Sequence, residues 1–230
     1  IHGPSIPTML GLKGLKPGLE MVGDKHKIVP LQYKGLKVMS IGFLVDEKQA
    51  VVWRGPMVTS ALRQFITDVL WGELDYIVID MPPGTGDVQL TIAQIVPVTG
   101  AVIVTTPQEV ALADARKAIS FFNMETVKIP ILGIVENMAY FTPEELPDNK
   151  YYIFGKDGGK KLAEEYNLAF IGEIPLVQNI REGGDMGIPA VLEENTVSSN
   201  AFESIASNIA RNIVVTNAEI EERALSVNKN

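Results

Sequence analysis

The segment that most constrains the fold is residues 75–87, where a hydrophobic run ends in a carboxylate and passes directly into a loop rich in proline and glycine. Residues 76–79 show no alternation of polar and apolar side chains, which is typical of a strand covered on both faces. We therefore predict a buried strand over residues 75–80. Asp80 would then lie at its carboxyl end, where open α/β sheets bind their ligands.

The loop that follows Asp80 suits a phosphate-bearing ligand. Pro82 and Pro83 cannot continue a strand ladder, while Gly84 and Gly86 allow a tight turn and a close approach to a ligand. A carboxylate at a strand end can hold Mg²⁺, directly or through water, while the loop contacts a γ-phosphate. The alternative is a buried strand whose aspartate only caps the next helix. The Pro-Pro-Gly-Thr-Gly-Asp continuation favours the magnesium role.

Apolar patterning predicts alternating strands and helices along the chain. The predicted strands are 36–41, 75–80, 101–105, 131–136 and 169–171, with a further short apolar stretch at 45–52. The predicted helices are 56–70, 88–95 (with Asp87 as a candidate cap), 107–124, 158–166 and 198–214. Because strands alternate with helices, we predict the α/β class, with an open, mostly parallel sheet and helices on both faces.

We predict a single domain over residues 1–230, because a chain with 46% hydrophobic residues can form one substantial core. Residues 1–35 lack clear periodicity and are predicted to form a long loop with one helical turn near residues 8–10. Residues 142–152 are predicted to be an acidic excursion and residues 183–187 a mobile turn. The charged tail, residues 217–230, is expected to fray.

Composition argues against several functional classes. The chain has a net charge of −8, so it lacks the basic surface of a nucleic-acid-binding protein. No apolar run reaches the roughly 18 residues of a membrane span, and none has the flanks of a signal peptide. The chain contains no cysteine and therefore no disulfide. We expect a cytoplasmic protein that binds neither nucleic acid nor membrane.

The motif Asp-Met-Pro-Pro-Gly-Thr-Gly-Asp at 80–87 resembles the switch II segment of the Mrp/ApbC-type P-loop ATPases, which are iron–sulfur cluster carriers related to MinD and ParA. Four further segments occur in the order found in that family: 1–7, 53–57, 133–138 and 172–176. The resemblance covers nearly the whole chain. It implies a P-loop NTPase fold of the MinD/ParA kind that is incomplete at its N-terminus.

The resemblance also implies roles for individual residues. The catalytic candidates are Asp80, which would hold Mg²⁺ directly or through water, and Asp87. The nucleotide-binding candidates are Gly84, Thr85, Gly86, Asn137, which would bind the adenine base, and Pro175, which with its neighbours would line the other side of the ring. Thr85 and Asp87 could position the attacking water or reach a partner chain. The alternatives are that Asn137 only forms a turn and that Asp87 only caps a helix.

The phosphate-binding loop of the family does not occur in these residues. No Gly-x-x-x-x-Gly-Lys-Ser/Thr motif is present, and the glycine- and lysine-rich residues 155–161 have the wrong spacing and are predicted to form a turn and a helix start. Either the sequence is part of a longer one, or the protein has no phosphate loop. We expect the former, because the other motifs are consistent only with a bound nucleotide. The chain as it stands should not hydrolyse ATP efficiently.

A second departure concerns cysteine. Proteins of this type usually carry a Cys-x-x-Cys pair after the Glu-Asn-Met segment, and two chains together bind a bridging iron–sulfur cluster. Here residues 140–152 contain acids and prolines but no thiolate, and Glu144, Glu145 and Asp148 are better explained as a solvated loop than as a site for a hard metal. We therefore expect no iron–sulfur cluster on this chain.

Three functional hypotheses follow. The first is a hydrolase: a homodimeric ATPase that assists iron–sulfur cluster assembly or transfer and acts on iron–sulfur client or scaffold proteins. The second is a non-enzymatic, nucleotide-sensing dimeric scaffold that binds protein clients without carrying a cluster. The third, a membrane-associated regulator of the MinD kind, ranks last because residues 218–223 are acidic rather than basic.

Overall fold

A computed structural model describes residues 5–45, 55–82, 84–143, 145–146 and 148–227. The chain divides into two compact units. The first comprises residues 1–96 and 182–189, and the second comprises residues 97–181 and 190–230. The single domain expected from composition stays a prediction.

The first unit begins with a short helix and two antiparallel hairpins. These elements are α1 (Ser5–Met9), β1 (Gly18–Val22), β2 (Lys25–Val29), β3 (Leu31–Tyr33) and β4 (Leu36–Val38). The predicted long loop over residues 1–35 was therefore wrong. Lys34 and Gly35 both have positive φ, as a two-residue hairpin turn of type I′ requires. Strands β1 to β3 escaped detection because residues 1–35 are rich in glycine, proline and lysine, and because β1 is exposed along its whole length.

Strand β4 is followed in the first unit by a 3₁₀ turn and a helix. The predicted strand at 36–41 ends at Val38, and a 3₁₀ turn follows at Ile41–Phe43, capped by the Ser40 hydroxyl. Residues 46–52 of the predicted apolar stretch lie outside the described residues. Helix α2 (Gly55–Thr67) agrees with the predicted helix but ends earlier. It packs Ala61 and Phe65 against Ile41.

Residues 75–80 form no strand, so the prediction of a buried strand there was wrong. The side chains of Tyr76, Ile77 and Val78 are exposed by 59%, 50% and 94%. A strand needs a neighbour for its N–H and C=O groups, and the described residues form no β-bridge to residues 75–80. A parallel bridge does form upstream of this run, where Val69 pairs with Ile28 of β2.

The second unit contains the parallel sheet. Its strands are β5 (Ala101–Thr105), β6 (Ile131–Glu136) and β7 (Phe170–Glu173), in the order β5-β6-β7, so β5 lies at an edge. The first two strands were predicted with these bounds, and the third is shifted and longer than the predicted 169–171. All three strands point the same way, so their carboxyl ends lie together on one side of the sheet, the carboxyl edge.

Helices cover both faces of this sheet. On one face, α4 (Glu109–Phe122) and α5 (Gly158–Glu165) bury Leu112, Ile119 and Leu162 against Ile103 and Ile134. On the other face, Ile205 of α7 (Val197–Val227) packs with Val135 and Ile171. Neighbours Ile134 and Val135 of β6 thus face opposite layers, as strand geometry requires. The predicted α/β fold, with a parallel sheet and helices on both faces, is confirmed.

Two helices differ from the sequence-based expectation. Helix α6 (Gln178–Met186) includes most of residues 183–187, so the mobile turn predicted there was wrong. Helix α7 continues through Val227, past the predicted end at residue 214 and through most of the tail expected to fray. Its Asn208 and Asn212 side chains donate to the carbonyls of Ile171 and Leu132 at 2.9 and 2.8 Å. These amides fasten the long helix to two strands.

Candidate functional site

The carboxyl ends of the three parallel strands bring polar side chains into one row. Thr105 of β5 is the register partner of Glu136 on β6, which in turn is the partner of Glu173 on β7. Thr105 is buried and Glu136 is only 1% exposed. Ligands of open α/β sheets bind in the crevice outside this edge. The row therefore marks the candidate site of the second unit.

Asn137 follows β6 directly and is half-buried at this edge. Its backbone N–H donates to the carbonyl of Thr105 at 2.7 Å, and its side-chain Oδ1 accepts from the N–H of Met138 at 2.9 Å. The contact with Met138 is the one expected if Asn137 forms a turn. The Asn137 Oδ1 keeps a second lone pair, and its Nδ2 keeps two protons. An amide held in this way can still bind the edge of a base.

The structure brings the segment after Asn137 alongside the segment around Pro175. Three backbone hydrogen bonds of 2.7–3.0 Å join them, from the N–H groups of Ile174, Ala139 and Leu176 to the carbonyls of Glu136, Ile174 and Tyr140 respectively. Pro175 itself is fully buried. Pro175 therefore presents almost no surface, whereas the half-buried Leu176 beside it is partly accessible.

Glu136 was not among the predicted site residues, yet it organises this edge. Its carboxylate accepts a hydrogen bond from the N–H of Gly159 in the first turn of α5. A Cβ on Gly159 would lie 3.1 Å from both Cβ and Oε2 of Glu136, and a Cβ on Gly158 would lie 2.5 Å from the carbonyl oxygen of Pro107. The paired glycines therefore allow α5 to approach both strand ends. The predicted turn and helix start here is confirmed.

The pKa of the Glu136 carboxyl is raised above its ordinary value. Burial is the main cause, because the charged form loses its hydration. The negative charges of Glu173 and Asp157 raise the pKa further, while the Gly159 N–H and the charge of Lys161 partly oppose them. Proton binding by Glu136 is therefore coupled to its neighbours on β7 and at the start of α5.

The predicted loop at residues 80–87 lies in the first unit. Asp87 is the first residue of α3 (Asp87–Ile95), and the cap position belongs to Gly86, so the prediction that Asp87 caps this helix was wrong. The predicted metal and phosphate residues Asp80, Gly84, Thr85 and Gly86 are exposed, and Gly84 has a φ of 96° that favours glycine.

One buried side chain, Gln89, holds this loop together. Its Oε1 accepts from the N–H of Gly86 at 3.0 Å, and its Nε2 donates to the carbonyl of Pro82 at 2.9 Å. The sequence carried a signal for it, since a glutamine three residues after a helix cap has the spacing of a capping box. Thus the structure gathers Asp80 to Asp87 in one unit, and Asn137 and Pro175 in the other.

Within the described residues, no group of three or more His, Cys, Asp or Glu side chains could hold a metal ion. A single carboxylate such as Asp80 fits Mg²⁺, which keeps several waters and takes phosphate oxygens as ligands. An iron–sulfur cluster does not fit, because it needs thiolates and the chain has none. None of the helices among the described residues could span a membrane.

The connection between β6 and α5, residues 137–157, contains two lysines that stack on tyrosine rings. Lys150 Nζ lies 3.7 Å from the ring centroid of Tyr140, and Lys156 Nζ lies 4.8 Å from that of Tyr152. Such cation–π pairs each stabilise a loop by about 0.5–1 kcal/mol at exposed sites. They order the loop without providing a metal site.

Known proteins with similar sequences identify the family of the chain. Residues 1–210 match the profile of the ParA group described as NUBPL iron-transfer P-loop NTPase. An iron-sulfur cluster carrier protein of Synechocystis is 48% identical over 91% of the chain, and one of Haemophilus influenzae is 49% identical over 91%. The chain spans 59% and 55% of the lengths of these two relatives.

A solved structure gives the same result. A nucleotide-binding protein of Archaeoglobus fulgidus in complex with ADP superposes with a TM-score of 0.68 at 40% identity, over 84% of this chain and 73% of that one. The resemblance found from the motifs at 80–87 and 133–138 is thereby confirmed. The chain belongs to the NUBPL iron-transfer P-loop NTPase family of ParA-type proteins.

Proposed function

We propose that the protein binds and hydrolyses ATP with Mg²⁺ and uses this cycle to assist iron–sulfur cluster assembly or transfer. The observation that carries the proposal is the pairing of the Asn137 segment with residues 174–176 at the carboxyl edge of the parallel sheet. This edge is where such sheets bind nucleotides. The ADP complex of the related Archaeoglobus protein supports a nucleotide as the ligand.

In this proposal Asn137 binds the adenine base. A carboxamide can pair with adenine by donating to a ring nitrogen and accepting from the exocyclic amine, and both atoms of the Asn137 amide retain capacity for this. The segment around Pro175 forms the neighbouring wall and presents Leu176 to the ring. The fixed backbone around Asn137 means that little ordering is needed when the base binds.

Asp80 and its loop serve the phosphate end. Asp80 holds Mg²⁺ directly or through water, and the N–H groups of Gly84, Thr85 and Gly86 contact phosphate oxygens. Asp87 positions the attacking water. Bound Mg²⁺ would neutralise charge that develops on the phosphates during transfer. Support comes from the exposure of the loop and from the Gln89 contacts that order it.

The iron–sulfur cluster is the cargo rather than a resident group in this proposal. The relatives from Synechocystis and Haemophilus influenzae are named as carriers. Because residues 1–230 contain no cysteine, the thiolates that hold the cargo belong to client or scaffold proteins or to other parts of the polypeptide. A homodimer, in which two nucleotide sites act together, is part of the same proposal.

A second candidate function is a nucleotide-sensing scaffold that binds clients without turnover. The specific observation in its favour is that these 230 residues contain neither a cysteine nor a Gly-x-x-x-x-Gly-Lys-Ser/Thr motif. Such a protein would bind ATP, change its oligomeric state or client affinity, and release ATP unhydrolysed.

The two functions are separated with the full-length protein. We would measure phosphate release from ATP with and without Mg²⁺, and then transfer of a preassembled [4Fe–4S] cluster from a donor to an apo-acceptor enzyme with ATP or a non-hydrolysable analogue. Magnesium-dependent phosphate release and faster transfer with ATP than with the analogue support the first function. Equal transfer with both nucleotides and no phosphate release establish the scaffold.

A further inference from the structure

Residues 137–157 leave the sheet after β6 and return to it at the start of α5, and we call them the excursion. Glu136 immediately precedes the excursion, and its carboxylate accepts a hydrogen bond from the N–H of Gly159, the second residue after the excursion. One side chain therefore joins the two ends of a long connection. This side chain is 1% exposed, in a class of residue that is seldom fully buried.

The first turn of α5 explains why an acceptor is needed there. The first N–H groups of a helix have no partner within the helix, and a side chain at the cap position commonly supplies one. At the cap of α5, Asp157 has a left-handed φ of 58° and its side chain caps none of the described N–H groups. Glu136 takes over this function from the end of a neighbouring strand.

The charge and the packing reinforce the same contact. A carboxylate at a helix N-terminus interacts favourably with the helix dipole. Gly158 packs close to Pro107, and Gly159 packs against Glu136, at distances that leave little or no room for a Cβ. The end of the excursion is thereby pressed against the same sheet edge from which it starts.

Asn137 is the first residue of the excursion. Farther along, the excursion is closed by two 2.8 Å hydrogen bonds between Phe141 and Tyr151. Between Glu136 and this bridge, the backbone runs alongside residues 174–176, to which three backbone hydrogen bonds join it. If the base of the excursion opened, Asn137 would be held by backbone hydrogen bonds alone, without the support of α5.

We propose that Glu136 is a positioning residue, which closes the base of the excursion through Gly159 and thereby holds Asn137 in the orientation that binds adenine. The nucleotide part of this inference rests on the proposed function of Asn137. The closure of the excursion does not, since it concerns contacts within the chain alone.

The closure is tested in the nucleotide-free, full-length protein by hydrogen–deuterium exchange. Glu136→Ala should speed exchange of the Gly159 amide, and of amides in the excursion, at least about tenfold, because a hydrogen bond to a charged acceptor is lost. Glu136→Gln should keep most of the protection, since its carbonyl oxygen can accept the same bond. Glu173→Gln is the matched control on the neighbouring strand and should leave Gly159 protected.

The positioning is tested by steady-state hydrolysis and by competition with tripolyphosphate. Glu136→Ala should raise KM for ATP about tenfold with little change in kcat, because a base contact acts equally in the ground and transition states. Affinity for tripolyphosphate, which lacks a base, should be unchanged. Glu136→Gln should restore KM to within about threefold of the parent, as a retained neutral hydrogen bond predicts.

The outcomes separate the inference from the proposed function. Unchanged exchange at Gly159 in Glu136→Ala overturns the closure, whatever the enzyme does. Faster exchange with an unchanged KM for ATP overturns the positioning of Asn137. A parent protein that binds no ATP refutes the proposed function and, with it, the positioning, while the exchange data still decide the closure. If Glu136→Ala fails to fold, Gly159→Ala, which displaces the carboxylate, takes its place in both assays.

Discussion

Glu136 and Glu173 are register partners at the carboxyl ends of β6 and β7, so two carboxyl groups face the same sheet edge on adjacent strands. Burial raises the pKa of Glu136 most, and the negative charge of Glu173 raises it further. Burial and the charge of Glu173 therefore oppose ionisation of Glu136 in the folded state, whereas the hydrogen bond from the Gly159 N–H favours it.

This arrangement predicts how stability depends on pH. The pKa of Glu136 is raised above the ordinary 4.5, so the folded state binds a proton more tightly than the unfolded state. This tighter proton binding stabilises the folded state. The stabilisation is fully present below pH 4.5 and is lost as the pH rises through the higher pKa that Glu136 has in the folded state. Glu136→Gln should remove it. Urea unfolding from about pH 4 to pH 8 should therefore show the mutant gaining stability relative to the parent as pH rises.

The control for the pH experiment is Asn123→Ala, which changes an exposed, non-ionisable side chain after α4. It should follow the pH dependence of the parent. Parallel stability curves for the parent and Glu136→Gln would show that Glu136 titrates alike in the folded and unfolded states.

Replacing Asp80 tests the phosphate end of the proposed site. Asp80→Asn should lower ATP turnover at least about tenfold, equivalent to roughly 1.4 kcal/mol of transition-state stabilisation, because an amide holds Mg²⁺ less well than a carboxylate. Asp75→Asn, an exposed acid in the same segment, is the control and should retain turnover. Phosphate release under saturating Mg²⁺ measures both. Full turnover by a folded Asp80→Asn protein removes Asp80 from the mechanism.

Replacing Asn137 tests the base pocket. Asn137→Ala should weaken ATP binding by roughly 1–3 kcal/mol while the fold is retained, because the hydrogen bonds to adenine are lost. Asn123→Ala, at an exposed site after α4, should bind ATP like the parent. Calorimetric titration gives the affinities. Equal affinity in Asn137→Ala and the parent would mean that Asn137 only forms a turn.

Gln89 offers a test of how the loop is ordered. Gln89→Leu removes the contacts to Gly86 and Pro82 and should lower kcat more than it raises KM, because the loop acts mainly on the phosphates in the transition state. The loss should be about tenfold, as expected for one or two hydrogen bonds. Gln94→Leu changes an exposed glutamine on the same helix and should be neutral. A kcat equal to that of the parent would refute a role for this contact.

The absence of cysteine leads to the last prediction. Residues 1–230, reconstituted anaerobically with iron and sulfide and then desalted, should stay colourless, because carboxylates hold sulfide-bridged iron poorly. A related carrier protein that contains the cysteine pair is the positive control. Stoichiometric iron and sulfide with a charge-transfer band in this chain would contradict the prediction.

The parallel sheet could be predicted because its strands are continuous apolar runs, and β5 and β6 have the predicted bounds. The same reasoning failed at residues 75–80. An apolar run reports a tendency to be buried, but it cannot report whether a neighbouring strand is present to pair with it. Strands β1 to β3 were missed for a different reason, because they are short and lie in a segment rich in glycine, proline and lysine. Strand β4 lies within the predicted strand at 36–41.

The site was predictable where one residue carries the signal. Asn137 stands at the end of a buried strand, and its position at the sheet edge follows from that. Glu136 and Gln89 were missed as site residues because their importance depends on partners, and the partner of Glu136 lies beyond the excursion at Gly159. Such pairings are set by tertiary packing and leave no local pattern.

The position of β5 at the edge of the sheet has a practical consequence. Val104 of this strand is 61% exposed, and in the described part of the chain β5 pairs only with β6. An open row of N–H and C=O groups flanked by a bare valine is a template on which another strand can add. Copies of residues 1–230 that present this row to solvent will tend to associate edge to edge. Covering this one short strand should therefore reduce the self-association of residues 1–230.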